Sequence, residues 1–476
     1  MASAAILSLE EFRDTQRRAA IRQRLHERLD HWLDSLETRV KEPQPTLEEL
    51  THAVFALRQE LTQAVTEGLV EQMHRALVEQ QTAACPQCGQ TLSARGPQER
   101  TVETLVGAIR LRRPYFYCER CQLGTTPLDE ALQLMGRRKQ PDVQKAAVRL
   151  TKEVPYETAC ELFAELTGLP LSPHTAHAVT QAVGEGLTVL DVAPSRQEIV
   201  AKLTAVAIGQ PWRPILVLAI DGAEVPTRPE TAKGRRPGRK KVRAKRPRWT
   251  GEWREAKGFR FYLIAEDRIV QVLSWHQVQT DEEAAEALRQ VKAAGLIPEE
   301  EARLCVIADG ARWIWKRAQA LFPSAVEILD YYHCSERLHK VAALQYGAHP
   351  ERQQEWCEAA LARLFYGEVP GVIWGLQRMK PTDAQAAEAI AKLITYLQRH
   401  QGRLDYRVAR KGGYPMGSGG IESANKFICH VRLKRSGAWW YVTNANQILA
   451  LRCAKYNGTF DRVFERYRQR LHDRSG

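Results

Sequence analysis

The sequence predicts a multidomain α+β protein, and three observations carry that expectation. First, 476 residues exceed what one domain of about 150 residues accommodates. Second, the first eighty residues carry apolar side chains at steps of three and four, the repeat of a helix face, whereas short apolar runs bounded by Gly, Asp and Pro dominate after Pro214. Third, two Cys-x-x-Cys pairs punctuate the region between. A hydrophobic content of 44% with mean hydropathy of −0.41 describes a packed chain. No run approaches about 20 apolar residues and the first residues lack a signal-peptide pattern, so a cytoplasmic protein without membrane contact is expected.

Ser8 and Glu11 are spaced as a capping box opening a helix that Pro43 and Pro45 end, and Thr46 and Glu49 open a second. The stripe Leu50, Val54, Leu57, Leu61, Val65, Leu69, Met73 lies on one face, serving either a helical hairpin or the pairing of two subunits. Cys85 and Cys88 are separated from Cys118 and Cys121 by a spacer in which Val102 to Val106 and Ile109 to Arg113 flank Gly107, a hairpin pattern. Two knuckles joined by a hairpin can present four thiolates tetrahedrally to a structural Zn²⁺ with no open position; redox or buried cysteines are the alternative. Tyr156 to Thr167, Gly168, and a helix from Ser172-Pro173 to about Val183 follow helix-turn-helix grammar. Thr175, His177, Thr180 and Gln181 would face a DNA groove, unless the two helices only pack a core.

The catalytic signal lies further on. Strands are predicted at Ile215 to Ile220, Gly258 to Ala265, Ile269 to Trp275, Leu304 to Ala308 and Ala325 to Leu329, and helices at Asp281 to Ala294 and Arg312 to Leu321. This βββαβαβ order is the ribonuclease H-like arrangement, in which the first and fourth strands are neighbours. Asp221 and Asp309, each following such a strand, would then sit side by side and need a cation between them. Mg²⁺ or Mn²⁺ suits oxygen ligands and phosphodiester chemistry. A helical insertion with Trp356, Leu361, Leu364, Trp374 and Leu376 precedes a glycine-rich turn, after which Glu422 opens a helix as a third acid.

These residues resemble DDE-type insertion-sequence transposases of the ISKra-type group and their Mutator-like relatives over roughly Pro214 to Arg452. By that resemblance Asp221, Asp309 and Glu422 are the catalytic, Mg²⁺-binding triad, and Asp330-Tyr-Tyr-His333 is similar to the family's motif beside the active site. The stretch Arg432, Lys434, Arg435, Trp439 is similar to the basic segment after the glutamate and implies DNA contact. The resemblance implies strand cleavage and transfer; a nuclease or resolvase that only hydrolyses, or a catalytically silent zinc-ribbon repressor, are the competing readings.

The formal charge is +13, yet the sixteen residues Lys233 to Arg248 hold ten Lys or Arg and no acid; without them 59 cations face 56 anions. Arg235, Arg236, Arg239, Lys240, Lys241, Arg243, Lys245, Arg246 and Arg248 are therefore expected to meet DNA phosphates from a loop. The predicted layout is N-terminal helices (1–80), a zinc ribbon (81–128), a helix-turn-helix-like region (129–208), a ribonuclease H-like core (209–340 and 413–476) and a helical insertion (341–412). Expected partners are double-stranded DNA, as inverted repeats and target, and further copies of the chain as a homodimer or higher oligomer in a prokaryotic nucleoid.

Overall fold

The computed structural model describes residues 9–40, 44–229, 250–266 and 268–473. Ser8, Pro43 and the whole basic run from Lys233 to Arg248 lie outside the described residues. The chain is mixed α+β with two sheets and divides into two compact units, Met1–Thr180 with Phe464–Gly476, and Gln181–Val463. That division cuts the predicted 129–208 region. The Arg196–Ala207 helix belongs to the second unit because it buries Ile199 and Leu203 there, and Lys202 Nζ donates to Gln271 O at 2.9 Å.

In the first unit, helices Leu9–Arg39 and Leu47–Met73 form a hairpin. The Thr46 capping box forms as expected: Glu49 N donates to Thr46 Oγ1 at 3.3 Å and Thr46 N to Glu49 Oε2 at 2.8 Å. Trp32 Nε1 donates to Leu57 O across the hairpin, but Leu50, Val54, Val65, Leu69 and Met73 remain exposed. Four antiparallel strands follow in sequential order: β1 (Thr82–Ala84), β2 (Thr91–Thr104), β3 (Gly107–Cys118) and β4 (Leu123–Thr125). Gly107 closes the β2–β3 turn at φ +118°, a conformation that penalises any side chain. Helices Pro141–Thr151, Tyr156–Thr167 and Pro173–Gly184 enclose Val143, Ala147, Cys160, Phe163, Leu171 and Ala176, with Gly168 at φ +70° ending the second. Thr180 is fully buried and its Oγ1 lies 2.6 Å from Thr151 Oγ1, so it cannot face a groove.

The second unit is built on a five-stranded sheet of β5 (Ile215–Thr227), β6 (Glu252–Ala265), β7 (Arg268–Val278), β8 (Arg303–Ala308) and β9 (Val326–Leu329), in the order β7-β6-β5-β8-β9. β5, β6 and β7 are antiparallel neighbours; β8 runs parallel to β5, and β9 to β8. Leu216 to Ala219 are entirely buried, as a central strand covered on both faces requires. β5 does not end at Asp221 as expected: pairing with β6 continues from Asp221↔Gly258 to Thr227↔Glu252, and this ladder holds Asp221-Gly222 extended rather than in a turn. The crossover helices Asp281–Ala293 and Arg312–Leu321 fall where the periodicity predicts them. The predicted insertion consists of helices whose buried residues include Val341, Leu364, Leu376, Leu393 and Leu397. Trp374 takes no part in that core; it is 59% exposed, with the Arg378 guanidinium 4.6 Å from its ring centroid. The Val442–Asn457 helix covers the edge strand β7. Asn446 and Asn457 there hydrogen-bond the backbone of Val278 and Ser274, satisfying ladder groups an edge leaves open.

Candidate active site

Cys85 follows β1, Cys118 ends β3 and Cys121 sits in the turn into β4, so the register of a small antiparallel sheet delivers all four cysteines to one place. Their sulfurs all lie within 4.8 Å of one another, and the Cys88 and Cys118 sulfurs are 3.7 Å apart. Cys85 and Cys118 are buried with Ala83, Leu92 and Phe116 behind them. The Cys88 backbone N–H aims at the Cys85 sulfur and holds its thiol down to about 7, while hydrogen bonding to Cys88 and burial push Cys121 up to about 12. A set of four soft sulfur donors at this spacing fits a structural metal such as Zn²⁺.

In the second unit, the parallel register Ile220↔Ala308 sets Asp221, within β5, beside Asp309, which follows β8. Burial, then the neighbouring carboxylates Asp309 and Glu422, push Asp221 up to about 6 against the opposing effects of the Gly222 N–H and His333. Three residues expected at the site, Asp309, Glu422 and His333, thus act on one carboxyl group. Among the described residues, however, ligand atoms within 4.8 Å of one another are found in the four cysteines and not in Asp221, Asp309 and Glu422 together.

The loop carrying Glu422 is pinned through Asp330, a fully buried residue at the end of β9. Its Oδ1 accepts the His333 N–H at 2.8 Å as helix cap, and its Oδ2 accepts the Ser418 N–H. Ser418 Oγ donates to Glu422 Oε1 at 2.7 Å. Glycine is required in this loop by close approach: a Cβ on Gly420 would fall 2.5 Å from the Tyr262 ring, and one on Gly417 2.6 Å from the Tyr332 ring. Asp330 is thereby a structural clamp, whereas the His333 ring is partly exposed, with Nδ1 3.5 Å from Glu336 Oε2.

Two polar side chains that sequence reasoning does not single out stand behind Asp221. Asn425 Nδ2 donates to Asp221 Oδ2 at 2.8 Å, and Asn425 Oδ1 lies 3.1 Å from Nε2 of the fully buried His276. Burial pushes His276 down to about 3, so its ring is neutral. Asn425 is within reach of sequence reasoning as the residue one helical turn beyond Glu422; His276 is not, because only strand register brings β7 to this place.

The basic stretch divides. Arg432 is buried at 2% exposure with its guanidinium 4.9 Å from the Trp440 ring, which removes it from the expected DNA contacts. Trp440 donates its indole N–H to Leu433 O. Lys434 and Arg435 are exposed, and Lys434 Nζ lies 5.5 Å from the Trp253 ring, itself in edge contact with Trp439. Among the described residues no helix is long and apolar enough to cross a membrane. Compared with models of known protein families and with curated proteins, the chain matches none.

Proposed function

We propose that this protein is a transposase that binds the inverted-repeat ends of its insertion sequence and catalyses divalent-metal-dependent strand cleavage and strand transfer with a DDE triad on a ribonuclease H-like core. The observation that carries the reading is the placement of Asp221 and Asp309 at adjacent parallel strands, with Glu422 acting on the same carboxyl. A carboxyl whose proton affinity is raised by two neighbouring acids suits a site built for a hard cation. Asp221, Asp309 and Glu422 would hold Mg²⁺ or Mn²⁺, which supplies nucleophile activation and leaving-group stabilisation when bound. The chain's own residues orient these acids: Asn425 holds Asp221, Ser418 holds Glu422, and Asp330 fixes the loop between them. Water would attack the phosphodiester, releasing a 3′-hydroxyl that serves as nucleophile on target DNA. The four-cysteine centre is read as a zinc ribbon that orders the DNA-binding part without taking part in chemistry.

The test uses the full chain with Mn²⁺ and duplexes taken from DNA flanking its gene. Cleavage and joining of a pre-cleaved end are expected, and Asp221→Asn, Asp309→Asn or Glu422→Gln should abolish both while leaving binding largely intact. Hydrolysis without joining would make the protein a nuclease; binding without either reaction would make it a repressor.

A further inference from the structure

Behind the candidate triad lies a hydrogen-bonded chain with a single direction, and we infer that Asn425 and His276 are positioning residues that hold the Asp221 carboxylate in its metal-binding orientation. The inference rests on the carboxylate-site reading above. Cross-strand register sets Asp221 opposite Gly258 and Gly258 opposite His276, and residues paired this way in antiparallel strands project from one face. Glycine between them is required, since a Cβ on Gly258 would lie 2.1 Å from His276 Cδ2. The imidazole therefore occupies the lane leading to Asp221, and Asn425 spans the remaining distance.

Chemistry fixes each role. An ionised Asp221 can only accept, so the amide must present Nδ2 to it, at 2.8 Å. Asn425 Oδ1 is then an acceptor facing His276 Nε2 at 3.1 Å, which makes His276 a neutral Nε2–H donor. Protons point from histidine to asparagine to carboxylate. Asn425 is 4% exposed and His276 fully buried, and burying two polar side chains costs free energy that an apolar pair would not incur. Their common terminus, a carboxylate at the site, accounts for that cost.

The support behind Asn425 is rigid. It begins a π-helical segment, Asn425–His430, and the buried Arg452 donates to the carbonyls of Phe427 and Ile428 within it. Glu422 lies one turn earlier, so one helix both contributes an acid and orients another.

Mn²⁺ binding to the full-length protein without DNA, followed by electron paramagnetic resonance against an Asp221→Asn background, tests this alongside strand cleavage. Asn425→Ala and His276→Leu should each weaken Mn²⁺ binding about tenfold or more and slow cleavage about 10- to 100-fold, the usual loss when a group orienting a ligand is removed. His276→Gln, whose amide N–H can still donate to Asn425, should recover most of both. A ring that only fills volume would make Leu as good as Gln. That result, or Mn²⁺ affinity in Asn425→Ala equal to the parent's, would overturn the inference. If Asn425→Ala fails to fold, the Leu and Gln pair at His276 decides alone. A parent protein that neither binds Mn²⁺ nor cleaves DNA sinks the carboxylate reading and this inference with it. A parent that does both, with unaffected variants, sinks this inference only.

Discussion

At Asp221, folding and the proposed chemistry pull in opposite directions. Burial and the neighbouring Asp309 and Glu422 raise this carboxyl from its ordinary 3.8 to about 6. Between those values the folded chain retains a proton that the unfolded chain has released. Stability therefore falls as pH rises from about 4 to about 6 and stays lower above that, by at most about 3 kcal/mol for one group. Asp221→Asn removes the buried charge with little change in shape. It should melt higher than the parent at pH 8, with the gap closing toward pH 4 and, if the proposed site takes up Mn²⁺, narrowing when that ion is added. Calorimetry at the two pH values checks this, and identical melting of the two proteins at pH 8 would refute it.

At the scale of the element, the β1–β4 sheet has little apolar support around its cysteines. Ala83, Leu92 and Phe116 are the buried side chains packed with Cys85 and Cys118, too few to hold four knuckle and turn segments by burial alone. Metal binding energy should therefore be folding energy for this element. One zinc per chain is expected by elemental analysis. Cys118→Ser should lose that zinc together with amide-exchange protection across β1 to β4, and should leave protection of β5 to β9 intact. Zinc-free protein with full protection of the small sheet would show that the thiols merely pack. The five-stranded sheet needs no such help, because Leu216 to Ala219 are buried and the β7 edge is closed by Asn446 and Asn457.

For the whole molecule the decisive quantity is the distribution of charge. Ten of the 69 cations fall between Lys233 and Arg248, in the connection from β5, which carries Asp221, to β6, which pairs with it. Binding of such a run to phosphates would release counter-ions and give affinity without sequence choice. Replacing Arg236, Arg239, Lys240, Arg243 and Arg246 with Gln should weaken binding to specific and random duplexes alike. The slope of log K against log salt should flatten by up to about 0.9 for each phosphate no longer neutralised. Unchanged affinity with an unchanged slope would exclude the run from the DNA interface.

Local rules are enough for much of this protein. The Thr46 capping box, the Gly168 helix end, the crossover helices and the four-cysteine spacing are each decided within a few residues or by one repeated motif, so they are legible without a fold. The side-by-side placement of Asp221 and Asp309 also follows from strand order, since chain connectivity leaves few alternatives for such a sheet. Only the tertiary structure decided what stands around them. The extension of β5 past Asp221 depends on β6 continuing to pair, and the His276–Asn425–Asp221 chain depends on register across three strands and a helix 204 residues away. Arg432 and Thr180 read as surface residues because their chemistry is polar, yet Trp440 and Thr151 cover them. Composition and periodicity describe a residue's neighbours along the chain. Burial, pairing and proton affinity are set by neighbours through space.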